Sequence, residues 1–248
     1  MRIVQITDLH IAREGVETFD TDVRGNFQRV LQLTHSLQPD HVVLSGDLCF
    51  DDPQEEVYVW VRNQMEELGI PYDLLSGNHD DPVMMARVFD REKQLQGGEL
   101  FYQKKIAHQD FLFLDTTTGE VSTRQLNWLE EQLKALDEPA MLFMHHPPFL
   151  SNVPHMDRKY ALQNREEIQE LLFEHPYPVH IFSGHYHVDK TVQRQNVILY
   201  ITPACFFQID QHEKDFKVDH RIPGLREITL DHGAVLTTVM YARRRKGQ

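Results

Sequence analysis

Short apolar runs and longer amphipathic stretches alternate along the first three quarters of the chain. The runs are rich in β-branched and aromatic residues, which is typical of strands that are buried on both faces of a sheet. Between them, apolar residues recur at the three- and four-residue spacing of a helix that packs one face on a core. The pattern predicts an α/β fold with strands at residues 2–6, 41–44, 71–75, 111–114, 140–144 and 179–182.

Helix boundaries are predicted from capping residues and prolines. The first helix, residues 26–37, ends before Pro39, because proline cannot continue a helix. A second helix is expected to begin near Pro53, with Asp51 or Asp52 as its N-cap. Further helices are predicted at residues 82–89 and, from capping patterns, after Ser122-x-x-Gln125 and Asn164-x-x-Glu167.

The last quarter of the chain is rich in strands and turns. Stretches at 197–201, 226–230 and 234–241 are expected to add antiparallel strands to a second sheet, with Asp231-His232-Gly233 as a hairpin turn. The sequence contains no internal repeat, low-complexity segment or linker. A single domain over residues 1–248 is therefore expected.

Composition is that of an ordinary globular protein of 248 residues, with 41% hydrophobic and 25% charged residues. No apolar run approaches the roughly 20 residues that a membrane span requires. The first residues resemble a strand rather than a secretion signal. Cys49 and Cys205 have no CxxC partner, which favours free thiols in a reducing compartment. We therefore expect a cytoplasmic protein without a membrane partner.

The net charge of −13 argues against a nucleic-acid partner, because tracking a phosphate backbone requires a basic surface. The one basic cluster, Arg243-Arg244-Arg245-Lys246, is interpreted as a solvated tail. An acidic protein can still bind an anionic substrate where bound cations supply the largest local charge. If the substrate is an anion, the negative net charge therefore favours a site that contains bound metal ions.

Polar clusters follow five of the apolar runs, at the point where each predicted strand ends. Because parallel strands present their carboxyl ends at one edge of a sheet, these side chains converge if the strands are neighbours. Carboxylates can bridge two divalent ions, imidazoles complete the coordination, and asparagine adds a neutral carbonyl oxygen. The sequence therefore predicts a site for two divalent ions among Asp8, His10, Asp47, Asn78, His79, His145, His146, His185 and His187.

The order of these clusters matches a known family. The motifs are, in sequence, Asp8-x-His10, Gly46-Asp47, Gly77-Asn78-His79-Asp80, His145-His146-Pro147-Pro148 and Gly184-His185-x-His187. This set resembles the calcineurin-like metallophosphoesterases, and within them most closely the bacterial class III cyclic-nucleotide phosphodiesterases and the related glycerophosphodiesterases. The resemblance extends over nearly the whole chain and implies a four-layer α/β/β/α sandwich of two β-sheets.

The resemblance also implies how the metals are held. One ion would be bound by Asp8, His10 and His187, the other by Asn78, His145 and His185, with Asp47 bridging them. The metals would be manganese, iron, zinc or cobalt, since mixed nitrogen and oxygen ligands accept all four.

Substrate contacts are implied at the edge of the metal centre. His79 would touch the substrate phosphate without binding metal, and His146 would lie behind the ligands or in the pocket wall. Asp80 is a candidate to orient His79, and the alternative, an N-cap of the helix that begins near Pro82, is compatible with that role. The complete set of expected substrate contacts is His10, Asn78, His79, His146 and His187.

The segment from Thr202 to Thr238 resembles the cyclic-AMP phosphodiesterases more closely than the glycerophosphodiesterases, and this resemblance implies hydrolysis of 3′,5′-cyclic AMP to AMP. Hydroxide held between the ions would attack phosphorus, and His79 would stabilise or protonate the departing alkoxide. A glycerophosphodiesterase or a promiscuous phosphodiesterase of the same family is the alternative, because the shared core fits it equally well.

Two further alternatives are disfavoured. The acidic balance argues against a nuclease, and the complete motif set argues against a non-catalytic scaffold. The physiological diester, the metal, the cleavage of monoesters and the oligomeric state stay open, although members of this family often form homo-oligomers.

Overall fold

Two large β-sheets organise the part of the chain that the computed structural model describes, residues 1–243. Arg244, Arg245 and Lys246 of the basic C-terminal cluster lie outside the described residues. Within residues 1–243, no helix combines the length and apolar character needed to cross a bilayer. Cys49 and Cys205 are buried free thiols, as predicted.

The elements of the first half of the chain alternate between strands and helices. They are β1 (Arg2–Ile6), α1 (Val23–Leu37), β2 (His41–Ser45), α2 (Glu55–Leu68), β3 (Tyr72–Leu75), α3 (Pro82–Val88), a 3₁₀ turn (Glu92–Gln94), β4 (Leu95–Gln96), β5 (Glu99–Leu100), β6 (Tyr102–Ile106) and β7 (Gln109–Leu114).

The second half begins with the same alternation and ends in strands. Its elements are α4 (Thr123–Ala135), β8 (Ala140–Met144), α5 (Pro154–Lys159), α6 (Arg165–Glu174), β9 (Val179–Ser183), β10 (Lys190–Arg194), β11 (Val197–Ile201), β12 (Gln208–Ile209), β13 (Val218–His220), β14 (Gly224–Asp231) and β15 (Ala234–Tyr241).

The first sheet has the order β15-β14-β1-β2-β3, and the second has the order β10-β11-β9-β8-β7-β6. Strands β1 to β3 are parallel, as are β7, β8, β9 and β11. Helices α1, α2, α4 and α6 connect parallel neighbours within these sheets, and such crossovers place a helix on one face of a sheet.

The inner faces of the two sheets pack against each other. Gln5 of β1 donates a hydrogen bond to the carbonyl of Ser183 of β9 (3.3 Å), and Arg226 of β14 donates to the carbonyl of Ile201 of β11 (2.9 Å). The crossover helices therefore cover the outer faces. The predicted four-layer α/β/β/α sandwich is confirmed.

An aromatic ladder crosses the second sheet. Tyr102, Phe113, Phe143, Phe182 and Tyr200 occupy successive register positions on β6, β7, β8, β9 and β11. Neighbouring rings have centroid separations of 4.6, 5.3, 5.2 and 5.1 Å, and all pairs are stacked except Phe143–Phe182, which is tilted by 31°. Cross-strand aromatic pairs of this kind add to the stability that burial alone provides.

We expect Phe143→Ala to lower the free energy of unfolding by about 3–5 kcal/mol, because the central ring of the ladder is fully buried and its loss leaves a cavity. Urea unfolding of the purified chain measures this change. Leu236→Ala is the matched control, since Leu236 is 58% exposed on β15 and its truncation should cost less than about 0.5 kcal/mol. An equal loss in both variants would contradict the stabilising role of the ladder.

Several predicted boundaries are confirmed. Ser122 caps α4, and its Oγ accepts the Gln125 N–H at 3.2 Å. Asp231 pairs with Ala234, so that His232 and Gly233 form a two-residue hairpin loop with φ of 46° and 82°. Positive φ at both positions is what a type I′ hairpin turn requires.

Other predicted boundaries are wrong, each for a physical reason. Helix α2 is preceded by Gln54 rather than capped by Asp51 or Asp52, and the acidic Glu55 and Glu56 in its first turn provide a favourable interaction with the helix dipole. Asn164 makes no capping bond, because its side chain pairs with both backbone groups of Val121. The prediction that all three late strands join a second sheet in antiparallel orientation is also wrong. Strands β14 and β15 join the sheet of β1–β3, and β11 pairs parallel with β9.

Candidate metal centre and active site

The two sheets bring the carboxyl ends of their central parallel strands to one edge of the sandwich. Each predicted cluster occurs where expected, immediately after β1, β2, β3, β8 or β9. The loops are joined by backbone hydrogen bonds, within a sheet from Gly184 N–H to the His145 carbonyl (3.1 Å) and across the two sheets from Cys205 N–H to the Thr7 carbonyl (2.9 Å). The resulting site contains side chains from both sheets. For example, His10 and His187 are in contact although they are 177 residues apart in the sequence.

The backbone of this edge is strained. Asp8, His10, Asp47, His185 and His187 have φ between 47° and 67°, the left-handed region that side chains other than glycine rarely adopt. Surrounding hydrogen bonds hold this geometry, including Asp8 N–H to the Gly46 carbonyl and His10 N–H to the Asp47 carbonyl, both 3.0 Å. Strain that is maintained in this way is characteristic of functional sites.

Two glycines allow the loops to approach closely. A Cβ atom on Gly184 would overlap Thr7 Oγ1, and a Cβ on Gly46 would overlap His145 Nδ1. Because the Gly184 loop approaches so closely, the His185 N–H donates to both carboxylate oxygens of Asp8 at 3.1 and 3.0 Å. The glycines therefore set the separation between the side chains that follow them.

One group of ligand atoms consists of Asp8, His10 and His187. His187 Nε2 lies 3.2 Å from Asp8 Oδ1 and 3.2 Å from His10 Nε2. The Nδ1 atoms of the two rings face the backbone carbonyls of Phe207 (2.9 Å) and Phe50 (3.4 Å). An Nδ1–H that donates to a carbonyl leaves the Nε2 lone pair free for a metal ion.

A second group consists of Asp47, His145 and His185. His145 Nδ1 faces the Ser45 carbonyl and His185 Nε2 faces the Tyr160 carbonyl, both at 2.9 Å. The opposite nitrogen of each ring points into the site. Among the described residues, the buried His145 Nε2 has no hydrogen-bond partner, although Asp47 Oδ2 lies 3.2 Å away.

Asp47 belongs to a further group with His10 and His79. Its Oδ2 lies 3.6 Å from His10 Nε2 and 3.2 Å from His145 Nε2. Its Oδ1 accepts the backbone N–H of His79 at 2.9 Å. One carboxylate therefore adjoins both groups of imidazoles.

The electrostatics of the cluster match the protonation states of metal ligands. Burial lowers the pKa of His10 to about 3 and that of His185 to about 4. Burial would raise the pKa of Asp8, but the His187 and His145 imidazoles outweigh it and hold that pKa at about 2. Burial is likewise outweighed by His145 at Asp47, whose pKa falls well below its usual range. Neutral imidazoles and ionised carboxylates are the forms that bind divalent ions.

The pKa of His145 is shifted in the opposite direction to those of His10 and His185. Burial opposes its charge, but the carboxylates of Asp47 and Asp8 raise its pKa to about 9. Two buried carboxylates thus require a positive charge beside them, and without a metal a proton on His145 supplies it. Divalent cations would supply the same charge and give His145 Nε2 a partner. The residues present therefore fit a pair of divalent ions.

We expect addition of Mn²⁺ to the chelator-treated protein to raise its thermal midpoint by at least about 5 °C. Ligand at 100 times its Kd adds about 2.7 kcal/mol, and for a chain of this size each kcal/mol corresponds to about 2–4 °C. Differential scanning fluorimetry measures the shift. Ca²⁺ is the control, because it prefers oxygen ligands over imidazole. An equal shift with Ca²⁺ would contradict a histidine-rich site.

A comparison with models of known protein families identifies the family of this chain. The model of the family described as calcineurin-like phosphoesterase matches residues 1–189, more than half of the chain. The chain belongs to the calcineurin-like phosphoesterase family.

Individual relatives of the chain are similar along nearly its whole length. It is 33% identical over 242 residues to a probable cyclic nucleotide phosphodiesterase of Fibrobacter succinogenes, covering 98% of this chain and 94% of that protein. It is 29% identical over 255 residues to the 3′,5′-cyclic adenosine monophosphate phosphodiesterase CpdA of Escherichia coli strain K12, covering 97% and 89% respectively. A dimetal phosphatase from Danio rerio has a TM-score of 0.70 at 14% identity, covering 98% of this chain and 99% of that one. The structural likeness shows a shared fold.

Six predicted residues of this calcineurin-like phosphoesterase line the cleft: His10, Asp47, Asn78, His79, His185 and His187. Asn78 and His79 are the two that are not buried. Asn78 is exposed and lines the cleft beside the buried cluster. His79 is half-buried, its Nδ1 faces the Asp51 carbonyl at 3.0 Å, and its ring centroid is 5.0 Å from that of His10. Its Nε2 is thereby available to a group in the cleft.

The two roles expected for Asp80 both require correction. Its carboxylate accepts the backbone N–H groups of Gly77 (2.9 Å) and Leu48 (3.1 Å) and the Tyr58 hydroxyl (3.1 Å). The Asp51 carbonyl, and not Asp80, pairs with the His79 ring. The N-cap of α3 is the next residue, Asp81, which accepts the Met84 N–H at 2.8 Å. Asp80 therefore fastens the loop after β3 to the loop after β2.

The expected substrate contact of His146 also requires correction. Its ring is buried behind His185, with a centroid separation of 4.0 Å, and its Nδ1 lies 2.8 Å from Thr116 Oγ1. His146 does not line the cleft formed by the described residues. It supports His185 instead, which is the other position that the sequence allowed.

Sequence reasoning did not identify the aromatic part of this site. The cleft has a volume of about 330 Å³ and is bordered by Phe19, Phe50, His155, Tyr160, Phe206, Phe207 and Phe216 as well as by the cluster. The pair Phe206-Phe207 was the available signal, because it follows β11 at the same edge of the sandwich. Phe19 and Phe216 lie in loops, where no periodic pattern indicates their direction.

Proposed function

We propose that this chain is a binuclear-metal phosphodiesterase that hydrolyses 3′,5′-cyclic AMP to AMP. Membership of the calcineurin-like phosphoesterase family supports the reaction class. The names of the relatives in Fibrobacter succinogenes and Escherichia coli support a cyclic nucleotide as the substrate.

The observation that carries the proposal is the position of Asp47 between two buried groups of imidazole nitrogens. Asp8, His10 and His187 would hold one ion, and Asn78, His145 and His185 the other, with Asp47 shared. Asn78 is the exposed member of this set and supplies an amide oxygen from the side of the cleft. The available donors are compatible with manganese, iron, zinc or cobalt, and we favour iron and manganese.

The metal ions, when bound, supply Lewis-acid stabilisation of the phosphoryl group and an activated water. The chain itself orients the ligands, because each of the five imidazoles of the cluster faces a backbone carbonyl through its other nitrogen. His10, Asn78, His79 and His187 line the cleft and would contact the substrate phosphate. Ligand orientation that exists before substrate arrives avoids reorganisation during the reaction.

His79 would act on the leaving group. The Asp51 carbonyl accepts its Nδ1–H and fixes the orientation of the ring, so that Nε2 faces the cleft and can deliver a proton there. In the reaction, that proton passes to the departing alkoxide oxygen as its bond to phosphorus breaks. Transfer from a positioned imidazole typically contributes about 10²–10⁴ in rate.

The surroundings of the site favour a small substrate. Among the described residues that line the cleft, none is lysine or arginine, and the whole chain carries a net charge of −13. A nucleic acid would need a basic path for its backbone, whereas one phosphodiester group needs only the ions and their ligands. We propose a small phosphodiester as the partner and the cytoplasm as the location.

A metal-reconstituted activity screen tests the proposal. The chelator-treated chain is reloaded with Mn²⁺, Fe²⁺, Zn²⁺ or Co²⁺ and assayed on cyclic AMP, glycerophosphodiesters, an aryl phosphodiester and phosphomonoesters. We expect kcat/KM on cyclic AMP to exceed that on glycerophosphodiesters by at least about tenfold, a difference of about 1.4 kcal/mol in transition-state binding. Preferential turnover of glycerophosphodiesters would refute the cyclic-nucleotide assignment while retaining the phosphodiesterase.

A further inference from the structure

Aromatic side chains form a continuous surface on one side of the cleft. Phe19 lies 5.5 Å from Phe207 and 5.7 Å from Phe216, and Phe207 lies 5.7 Å from Phe216, as measured between ring centroids. Phe206 packs on Phe207 with a centroid separation of 4.1 Å. We call Phe19, Phe206, Phe207 and Phe216 the phenylalanine wall.

Two rings of the phenylalanine wall are exposed at a cost in free energy. Phe19 is 45% and Phe216 is 44% exposed, whereas Phe206 and Phe207 are buried beneath them. Apolar surface that is exposed to water is unfavourable in proportion to its area. Contiguous exposed aromatic rings at the mouth of a cleft are typical of a surface that a ligand covers.

The loop that carries Phe19 holds it in a strained conformation. Its φ is 52°, a region that is unfavourable for a bulky residue. Its carbonyl accepts hydrogen bonds from Arg221 Nε (2.7 Å) and Thr21 Oγ1 (3.1 Å), and Thr18 Oγ1 donates to the Thr21 carbonyl at 2.6 Å. The surrounding bonds therefore fix the ring at the cleft despite both strain and exposure.

The loop that carries Phe216 is also fixed. It joins β12 to β13, and Asp210 pairs with Lys217 through both its backbone N–H (2.9 Å) and its carboxylate (2.9 Å). Phe216 projects from this closed loop to Phe19, and on its other side its centroid is 5.7 Å from that of His155. Two separate loops, about 200 positions apart in the sequence, thus present rings to the same space.

The phenylalanine wall begins directly at the candidate metal ligands. The Phe206 ring is 5.0 Å from His10 and the Phe207 ring is 5.2 Å from His187. A substrate whose phosphate lies at the cluster therefore places its next group against these rings. The rings offer no hydrogen bonds, so a polyol would gain less there than a flat heteroaromatic group.

We propose that the phenylalanine wall binds the nucleobase of a cyclic nucleotide, with Phe19 and Phe216 as the residues that determine specificity. This inference rests on the proposed phosphodiesterase function and deepens it. A base has a π-face that stacks on phenylalanine, and each such stack contributes about 1–3 kcal/mol, or roughly 5- to 150-fold in binding. The wall thereby selects nucleoside phosphodiesters over diesters that present only a sugar or polyol.

The test compares two substrates that differ only in the base. Cyclic AMP and the base-free methyl β-D-ribofuranoside 3,5-cyclic phosphate are assayed on the Mn²⁺-loaded wild type, Phe19→Ala, Phe216→Ala and the double variant. We expect kcat/KM on cyclic AMP to fall by about 5- to 150-fold in the double variant, mainly through KM. Turnover of the base-free diester should change by less than about twofold, since its contacts lie at the cluster.

Two controls separate a binding role from a structural one. Phe216→Trp should keep the wild-type preference for cyclic AMP over the base-free diester, which Phe216→Ala loses, because tryptophan keeps an aromatic face. Leu236→Ala, which removes a side chain that is 58% exposed on β15, should leave both substrates unaffected. Equal losses on the two substrates in the Phe19 and Phe216 variants would overturn the nucleobase proposal.

Binding measurements test the nucleobase proposal even if cyclic AMP is not hydrolysed. Isothermal titration with AMP and with ribose 5-phosphate reports the base contribution without turnover. A preference for AMP of at least fivefold that disappears in the double variant would support the nucleobase surface even if the proposed reaction were wrong. Equal affinities for AMP and ribose 5-phosphate in the wild type would refute it.

Discussion

Replacing Asp47 with asparagine should lower both metal content and turnover, with kcat on cyclic AMP falling by about 10²–10³ or more, the loss seen when one preorganised electrostatic contact is removed. The carboxylate lies 3.2 Å from His145 Nε2 and 3.6 Å from His10 Nε2, so its charge serves both groups of ligands. Asparagine keeps an oxygen that can accept the His79 N–H, a bond of 2.9 Å in the wild type. The variant therefore removes charge while retaining shape.

Metal analysis and kinetics together measure this effect. Inductively coupled plasma mass spectrometry on the reconstituted protein should find fewer than two ions per chain in Asp47→Asn. Asp73→Asn is the matched control, because Asp73 is equally buried but pairs with His41 at 2.9 Å, away from the cluster. Two bound ions and full activity in Asp47→Asn would show that this carboxylate does not bridge a metal pair.

The position of the site could be predicted because strand topology restricts it. A short apolar strand in a parallel sheet must leave the sheet at its carboxyl end, and every such end lies on one edge. His10 and His187 follow strands of different sheets, yet their Nε2 atoms lie 3.2 Å apart. The sequence pattern therefore located the cluster without any distance information.

Neighbouring polar residues could not be assigned in the same way. Asp80 and Asp81 are adjacent carboxylates before the same helix, and either one suits the N-cap by sequence. The structure places Asp81 on the Met84 N–H and Asp80 on the loop after β2. Likewise Asn164 has the spacing of a capping residue but binds Val121 instead. Tertiary partners decide such cases, and local spacing does not contain them.

Backbone conformation and the direction of loop side chains could not be predicted from the sequence either. Positive φ is expected at glycine, yet Asp8, His10 and His187 adopt it within loops that are held by hydrogen bonds to neighbouring loops. The phenylalanine wall arises from loops, where neither a 3.6- nor a 2-residue period indicates which side chains share a face. The chemistry of the metal centre was therefore more predictable than the shape of the substrate cleft.

Replacing His79 with alanine should reduce kcat by about 10²–10⁴, the usual contribution of a positioned general acid, and leave both metals bound. The expected separation of effects follows from the position of the ring. His79 is half-buried beside the cleft, and its link to Asp47 runs through the backbone N–H, which alanine retains. His35→Ala, on the last turn of α1, controls for loss of a histidine elsewhere.

The leaving group provides the sharpest measurement for His79. An aryl phosphodiester releases a phenolate that needs little protonation, whereas cyclic AMP releases an alkoxide that needs a proton. His79→Ala should therefore lose at least about tenfold more activity on cyclic AMP than on the aryl diester, since one 1.4 kcal/mol difference in barrier is tenfold. Equal losses on both substrates would assign His79 to phosphate binding rather than to proton transfer. Loss of metal from the variant would make it a ligand instead, as its grouping with His10 and Asp47 permits.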